Sequence, residues 1–159
     1  KLSPVIDTQR MSAFTISNRL NQPTSSNTPD FVDDDQPSGS STAAIYCTRP
    51  ISLENPSTAL EVRLTQNVRS TSDVAVFFRA TSSEEVRNID DLGWVAFNGD
   101  GSEDTTVTPA EDRGTFKKYK YSESALTEFS AFQLKIVMKA TNSAHAPRIK
   151  DLRGLALAV

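Results

Sequence analysis

The side chains best suited to covalent chemistry are scarce in this chain. His145 is the only histidine and Cys47 the only cysteine among 159 residues. A Ser/His/Asp relay could be assembled from His145 and any of many serines, but a lone histidine in a loop is weak evidence for catalysis. Cys47 lies in a predicted strand with only Arg49 nearby to lower its pKa, so we expect a small core residue. No catalytic residue is therefore predicted.

Metal ligands are equally sparse. One histidine and one cysteine are too few for a zinc site. Two oxygen-rich runs, Asp33-Asp34-Asp35 and Asn98-Gly99-Asp100-Gly101-Ser102-Glu103-Asp104, could attract Ca²⁺, because hard cations prefer clustered oxygen ligands. The second run lacks the spacing of a helix–loop–helix calcium loop, and a solvated turn is the better interpretation. The sequence predicts no metal and no cofactor.

Two basic strips could bind anions. Arg148, Lys150 and Arg153 alternate with apolar residues, as in a phosphate-binding strip, and the run Lys117-Lys118-Tyr119-Lys120-Tyr121 mixes cations with aromatic rings, as single-strand binders do. Exposed strand faces have the same composition. The acidity of the whole chain disfavours a nucleic-acid partner.

Trp94 is the only tryptophan. On a surface its ring could stack on a sugar, whereas in a structural domain it would anchor the core. Alternation groups Trp94 with Ala96 and separates both from Val95 and Phe97, so the pattern alone does not decide. We favour a core position.

Charge is unevenly distributed along the chain, although the formal net charge is only −3. Residues 113–159 contain nine basic and three acidic residues, a net of +6, which leaves −9 for residues 1–112. Solvated faces explain this most simply. A subunit with unlike poles that docks electrostatically is the alternative. No apolar run reaches the length of a bilayer span and no signal peptide is visible, so we expect no membrane insertion.

The chain has two regions that differ in composition. Residues 17–41 are rich in Ser, Asn, Asp and Pro, without periodic apolar residues, and such a stretch cannot offset its ordering entropy by burial. We therefore expect an extended N-terminal arm or linker over residues 1–41, followed by a folded domain over residues 42–159. Within the arm, Ala13-Phe14-Thr15-Ile16 could pair with a sheet edge, including one in a neighbouring subunit. The first residue, Lys1, is consistent with a processed product or a fragment, and the single cysteine favours a reducing site of assembly.

From residue 42 the pattern is that of strands. Seven are predicted, at residues 42–48, 59–66, 73–80, 93–97, 115–121, 131–140 and 149–158. Turn-forming residues separate them, among them Glu54-Asn55-Pro56-Ser57. Residues 82–88 and 122–129 could form single helical turns. Short strands at this spacing predict an all-β fold, an antiparallel, jelly-roll-like sandwich. Leu134 and Ile136 should be buried in a central strand near Val62 and Val76. In the last strand, Ile149, Leu155, Leu157 and Val159 should supply the apolar side.

One resemblance adds to this interpretation. The pattern Thr-Arg-Pro-Ile-Ser-Leu, then Pro-Ser-Thr-Ala-Leu-Glu-Val-Arg-Leu and Ser-Asp-Val-Ala-Val-Phe-Phe-Arg, resembles a domain of virion structural proteins of tailed bacteriophages. Phe-Lys-Lys-Tyr-Lys-Tyr and the stretch ending in Ala146-Pro147-Arg148-Ile149-Lys150-Asp151-Leu152-Arg153 follow in the same order, and the last is the most specific part. The resemblance covers residues 45–159. It is strongest to baseplate and tail-fibre-associated proteins of marine and cyanobacterial phages, and it carries over no catalytic residue.

The resemblance implies a non-enzymatic structural subunit of a bacteriophage tail, baseplate or fibre, located in the virion and assembled in the host cytoplasm. Its partners would be other virion proteins. From the missing catalytic set, the unlike charges of the two parts of the chain and the low-complexity arm, we also expect it to pair with copies of itself, as a trimer or ring that follows the tail symmetry. A carbohydrate-binding module that contacts the host surface is the alternative, with Trp94, Tyr119 or Tyr121 stacking on a glycan.

Overall fold

The computed structural model describes residues 2–7, 12–17, 44–140 and 145–158. The ten strands within them are β1 (Leu2–Asp7), β2 (Ser12–Ser17), β3 (Ile45–Cys47), β4 (Ile51–Ser57), β5 (Ala59–Asn67), β6 (Ser72–Thr81), β7 (Val95–Ala96), β8 (Lys117–Glu123), β9 (Phe129–Ala140) and β10 (Arg148–Leu157). Two single-turn 3₁₀ segments, Ile89–Asp91 and Phe97–Gly99, flank β7, and the described residues contain no α-helix.

Strands β3 to β10 form two antiparallel sheets. The smaller has the order β10-β5-β8, and the larger has the order β3-β9-β6-β7, with β4 also paired to β9. Apolar side chains of β5 and β8 pack against those of β6 and β9 in one buried cluster between the sheets. The predicted all-β antiparallel sandwich is thus confirmed, while its jelly-roll connectivity stays a prediction.

The core is built as alternation requires. Leu134 and Ile136 are 1% and 2% exposed on β9, which is central in the larger sheet. Val76 lies opposite Ile136 in the register of β6 and β9, and Val62 belongs to the same buried cluster. The prediction for this part of the core is confirmed.

Three local predictions were wrong. The expected turn at Glu54-Asn55-Pro56-Ser57 lies within β4, an irregular strand whose pairing with β9 shifts register between Ser52 and Ser57, where a proline is tolerated. Neither predicted helical turn forms: residues 82–88 are turn and coil, and residues 124–128 are a bend and coil between the end of β8 at Glu123 and the start of β9 at Phe129. Ala125, at φ 57°, has a left-handed conformation that interrupts a helix. Predicted strand 93–97 is reduced to β7.

The N-terminal region is described only at its two strands. β1 and β2 pair with each other in an antiparallel two-stranded sheet, with Val5 opposite Phe14. The run of residues 13–16 therefore is a strand, as predicted, and its partner is β1 of the same chain. Residues 18–43 lie outside the described residues, together with the Asp33-Asp34-Asp35 run, so the extended arm stays a prediction.

Candidate functional site

The outer surface of the smaller sheet carries cations of both basic strips, except Lys117, which lies opposite Gln66 and donates to the Thr108 carbonyl oxygen. Its side chains form rows across β10, β5 and β8. One row is Arg153, Arg63 and Lys120, and the next is Lys150, Thr65 and Lys118. We call the surface formed by Arg63, Lys118, Lys120, Lys150 and Arg153 the basic face. Neighbouring strands lie about 4.8 Å apart, and like charges placed opposite one another are destabilising. Three cations in one row therefore need an anion nearby.

A bulge in β10 places two of these cations on the same side. Between Lys150 and Arg153 the register with β5 shifts, so that three steps along β10 match two along β5. Asp151 lies in the bulge with φ 54°, in the left-handed region. Strict alternation would separate Lys150 from Arg153, but the additional residue directs both outward.

The bulge also corrects the predicted apolar side of β10. Ile149 packs against the core as expected, but beyond the bulge Leu152 and Ala156 do so instead of Leu155 and Leu157. Leu155 and Leu157 are 38% and 42% exposed. Their positions extend the same outer surface beyond the basic face. Val159 lies outside the described residues.

Glu61 supplies most of the compensating charge. Its carboxylate accepts a hydrogen bond from Arg63 Nε at 2.5 Å and lies 3.3 Å from Lys120 Nζ. Burial raises the pKa of the Glu61 carboxyl. The hydrogen bonds and positive charges of Arg63 and Lys120 lower that pKa by more, so it lies below the ordinary value. Within residues 44–140 and 145–158, Lys118 and Arg153 form no ion pair. Glu61 thus pairs with two of the five cations, and the only other carboxylate paired with the face within these residues is Asp104, 3.8 Å from Lys120 Nζ.

A shallow groove of about 440 Å³ runs over the basic face, between Arg153 on β10 and Lys118 and Lys120 on β8. Phe116 directly precedes β8, and its ring is contacted by the guanidinium of Arg148 at 5.2 Å and by Lys150 Nζ at 4.3 Å. These cation–π contacts link β10 to the start of β8 across β5, which lies between them. The groove is suited to carboxylate or phosphate groups.

The aromatic half of the second strip points the other way. Tyr119 and Tyr121 are 5% and 0% exposed and belong to the core, because alternation along β8 directs them inward and Lys118 and Lys120 outward. The face therefore carries the cations of a single-strand binder without the stacking platforms.

Tyr121 belongs to a buried polar network that the sequence did not indicate. Gln66 Nε2 donates to the Tyr121 hydroxyl at 3.0 Å, and that hydroxyl donates to the Val74 carbonyl oxygen at 3.3 Å. Burial raises the pKa of Tyr121 well above its ordinary value. The network joins β5, β6 and β8, so it connects the two sheets, and no local sequence pattern could have revealed it.

Trp94 is in a second cluster, on the opposite face of the larger sheet. It is 7% exposed and packs with Ala75, Phe77 and Val137. The guanidinium of Arg79 lies 4.5 Å from the ring centroid of Trp94. The prediction that Trp94 is a core anchor is confirmed, and its ring has no free face for a sugar.

The acidic loop from Asn98 to Asp104 is held by its own hydrogen bonds. Asp104 accepts from Asn98 Nδ2 at 3.0 Å and from Ser122 Oγ at 2.5 Å. Burial raises the pKa of Asp104, but these bonds outweigh it and lower the pKa overall. The Gly101 carbonyl oxygen accepts a hydrogen bond from the Val76 amide. Gly101 has φ 81°, and a Cβ at this position would lie 3.0 Å from the Ala75 side chain, so the close approach requires glycine. The described residues include no cluster of three potential metal-binding side chains.

The two reactive side chains are far apart in the fold. Cys47 is exposed at the end of β3, so its predicted core position was wrong. The reason is that β3 is a three-residue edge strand beside β9. His145 Nδ1 lies 3.5 Å from the Thr71 hydroxyl, near Arg69 and Arg113.

Comparison with known proteins adds no relative. No family model matches the chain, and no curated protein is similar to it. Among the described residues, no helical segment has the length and hydropathy of a bilayer span.

Proposed function

We propose that this chain is a non-enzymatic structural subunit of a bacteriophage virion, in the tail, baseplate or fibre, and that it acts by protein–protein assembly. The observation that carries the assembly role is the basic face, where three strands place five cations on one surface of an acidic chain. The resemblance of residues 45–159 to virion structural proteins supports the location.

The construction of β10 indicates which part of the sheet makes the contact. β10 lies at the edge of the smaller sheet and carries a bulge and outward cations. These are the features that protect an edge strand from indiscriminate pairing. We therefore expect assembly through the side chains of the face rather than through an added strand.

The three aromatic residues named for the carbohydrate-binding alternative are buried, which argues against it. Trp94, Tyr119 and Tyr121 are at most 7% exposed, and stacking on a sugar requires an accessible ring face. A glycan array on the full chain tests this directly. Reproducible, saturable binding, lost in Trp94→Ala while the fold is retained, would replace the structural role by a recognition role.

Particle incorporation tests the proposed function itself. Phage particles purified through a density gradient should contain the chain at a fixed ratio to the other virion proteins, measured by quantitative mass spectrometry. A chain that lacks residues 1–41 should remain folded and soluble but be missing from particles. If the chain is absent from purified particles, the virion proposal fails; if the truncated chain enters them normally, assembly through the arm fails.

A further inference from the structure

We propose that the basic face binds the acidic segment formed by residues 30–35 of a neighbouring copy of the same chain. This inference rests on the proposed assembly function and names its surface and its partner. Residues 30–35 read Asp-Phe-Val-Asp-Asp-Asp, with four carboxylates in six positions.

The charge on the face is incompletely neutralised within the described residues. Arg63 and Lys120 share Glu61, and Lys120 Nζ also lies 3.8 Å from Asp104 Oδ2. Both side chains nonetheless remain accessible, since that of Arg63 is 60% exposed and that of Lys120 is 48% exposed. With Lys118 and Arg153 forming no ion pair, the face can accept further carboxylates without losing an existing contact.

The spacing of the cations fits an extended peptide. Lys118 and Lys120 are alternate residues of β8, so their Cα atoms are about 6.6 Å apart. Alternate carboxylates of an extended acidic segment repeat at the same distance. The two rows of the basic face lie side by side, so consecutive aspartates of the segment can pair with cations of different rows or strands. Such a segment could lie in the groove between Arg153 and Lys118.

The apolar part of the segment also has a counterpart. Leu155 and Leu157 are exposed on the same outer surface, directly beyond the row that begins with Arg153. Residues 31 and 32, Phe and Val, precede the three consecutive aspartates. The segment has apolar residues before its three consecutive carboxylates, and the outer surface of the sheet has exposed leucines next to the basic face. The two patterns match.

The same geometry disfavours nucleic acid as the occupant. Bases would need aromatic rings on which to stack. Tyr119 and Tyr121 face the core, and the Phe116 ring is already contacted by Arg148 and Lys150.

Single exposed ion pairs contribute little, so one copy should bind one segment weakly. In a closed ring or trimer, however, each subunit gives a segment and receives one, and the repeated contacts strengthen one another. The expected signature is self-association that depends on protein concentration and weakens with salt.

Sedimentation velocity on the full chain tests the inference. The wild-type chain should self-associate in low salt and dissociate as salt is raised. Lys118→Glu combined with Arg153→Glu should weaken association about tenfold or more, because attractive contacts become repulsive. The matched control, Arg49→Glu with Arg87→Glu, makes the same change in net charge at exposed positions outside the face and should associate like the wild type. Lys118→Gln with Arg153→Gln gives a milder test if the reversed variant does not fold.

Mixing two defective chains gives the sharpest result. A segment variant, Asp33→Lys with Asp34→Lys and Asp35→Lys, should not self-associate, and neither should the face variant. In low salt and at the highest soluble concentration of each chain, they should form a dimer and nothing larger, since only the intact segment of the face variant can meet the intact face of the segment variant. This single contact is weaker than the repeated contacts of a ring, so the dimer should need a higher concentration than wild-type association. No dimer under these conditions, or face variants that associate normally, would overturn the inference.

Two further outcomes separate this inference from the proposed function. A chain that is present in purified particles but monomeric at its highest soluble concentration overturns the docking of residues 30–35 alone. A chain that self-associates as described but is absent from particles overturns the virion role alone. Fluorescence anisotropy with a thymidine oligonucleotide covers the remaining partner. Tight binding that disappears in the face variant would assign the face to nucleic acid instead.

Discussion

Replacing Leu134 by alanine should destabilise the sandwich more than almost any other conservative change. Leu134 lies on the central strand β9 at 1% exposure, with Phe78 opposite it on β6. From the other sheet, β10 approaches closely enough that a Cβ on Gly154 would be 3.4 Å from Leu134 Cδ1. The side chain is therefore enclosed from both sheets.

The magnitude follows from what is removed and from how little can move. Loss of Cγ and both Cδ atoms removes about 2.4 kcal/mol of transfer free energy, at about 0.8 kcal/mol per carbon. The cavity adds roughly 24 cal/mol per Å³ that does not collapse. Because paired strands on both sides of β9 oppose collapse, we expect a total of about 3–4 kcal/mol, within the usual range for Leu→Ala.

Urea denaturation followed by circular dichroism measures this loss. Leu155→Ala is the matched control, since it makes the same substitution on the outer surface at 38% exposure and should cost about 0.5 kcal/mol or less. Both should be measured in about 0.5 M NaCl, where screening suppresses association through the basic face. A loss below about 0.5 kcal/mol for Leu134→Ala would show that the inward side of β9 has been assigned incorrectly.

Three other predictions concern the polar and aromatic contacts. Tyr121→Phe should cost about 1–3 kcal/mol because it leaves the Gln66 amide buried without its partner, while Tyr46→Phe, at 51% exposure, should be neutral by the same denaturation assay. Asp104→Asn should lower stability at pH 7. Because the folded pKa of Asp104 is depressed, the difference from wild type is complete above pH 3.8 and should shrink as the pH falls through the lower folded value, which denaturation at several pH values would reveal. Trp94→Ala should lower the free energy of unfolding by about 3–5 kcal/mol and with it the melting temperature. An unchanged melting temperature would contradict the place of Trp94 in the core.

The strands and the core could be predicted from the chain because they depend on local alternation. Leu60, Val62 and Leu64 alternate with polar residues, and Phe132, Leu134 and Ile136 of β9 do so as well. A half-buried strand needs this pattern wherever it lies in the sheet. The predictions failed where the environment of a strand mattered, as for Cys47 on the short edge strand β3 and for the irregular β4.

Composition alone shows that residues 148–153 and residues 117–121 are basic strips, but it does not show that they share a surface. Residues 117–121 and 148–153 are distant in the chain, and they meet only because β5 pairs with β8 on one side and with β10 on the other. The bulge at Asp151 then decides that Lys150 and Arg153 share a face and that Leu155 is exposed. Alternation is a local property, whereas strand order and register are set by the burial of the whole sheet. The candidate surface is therefore a product of tertiary pairing.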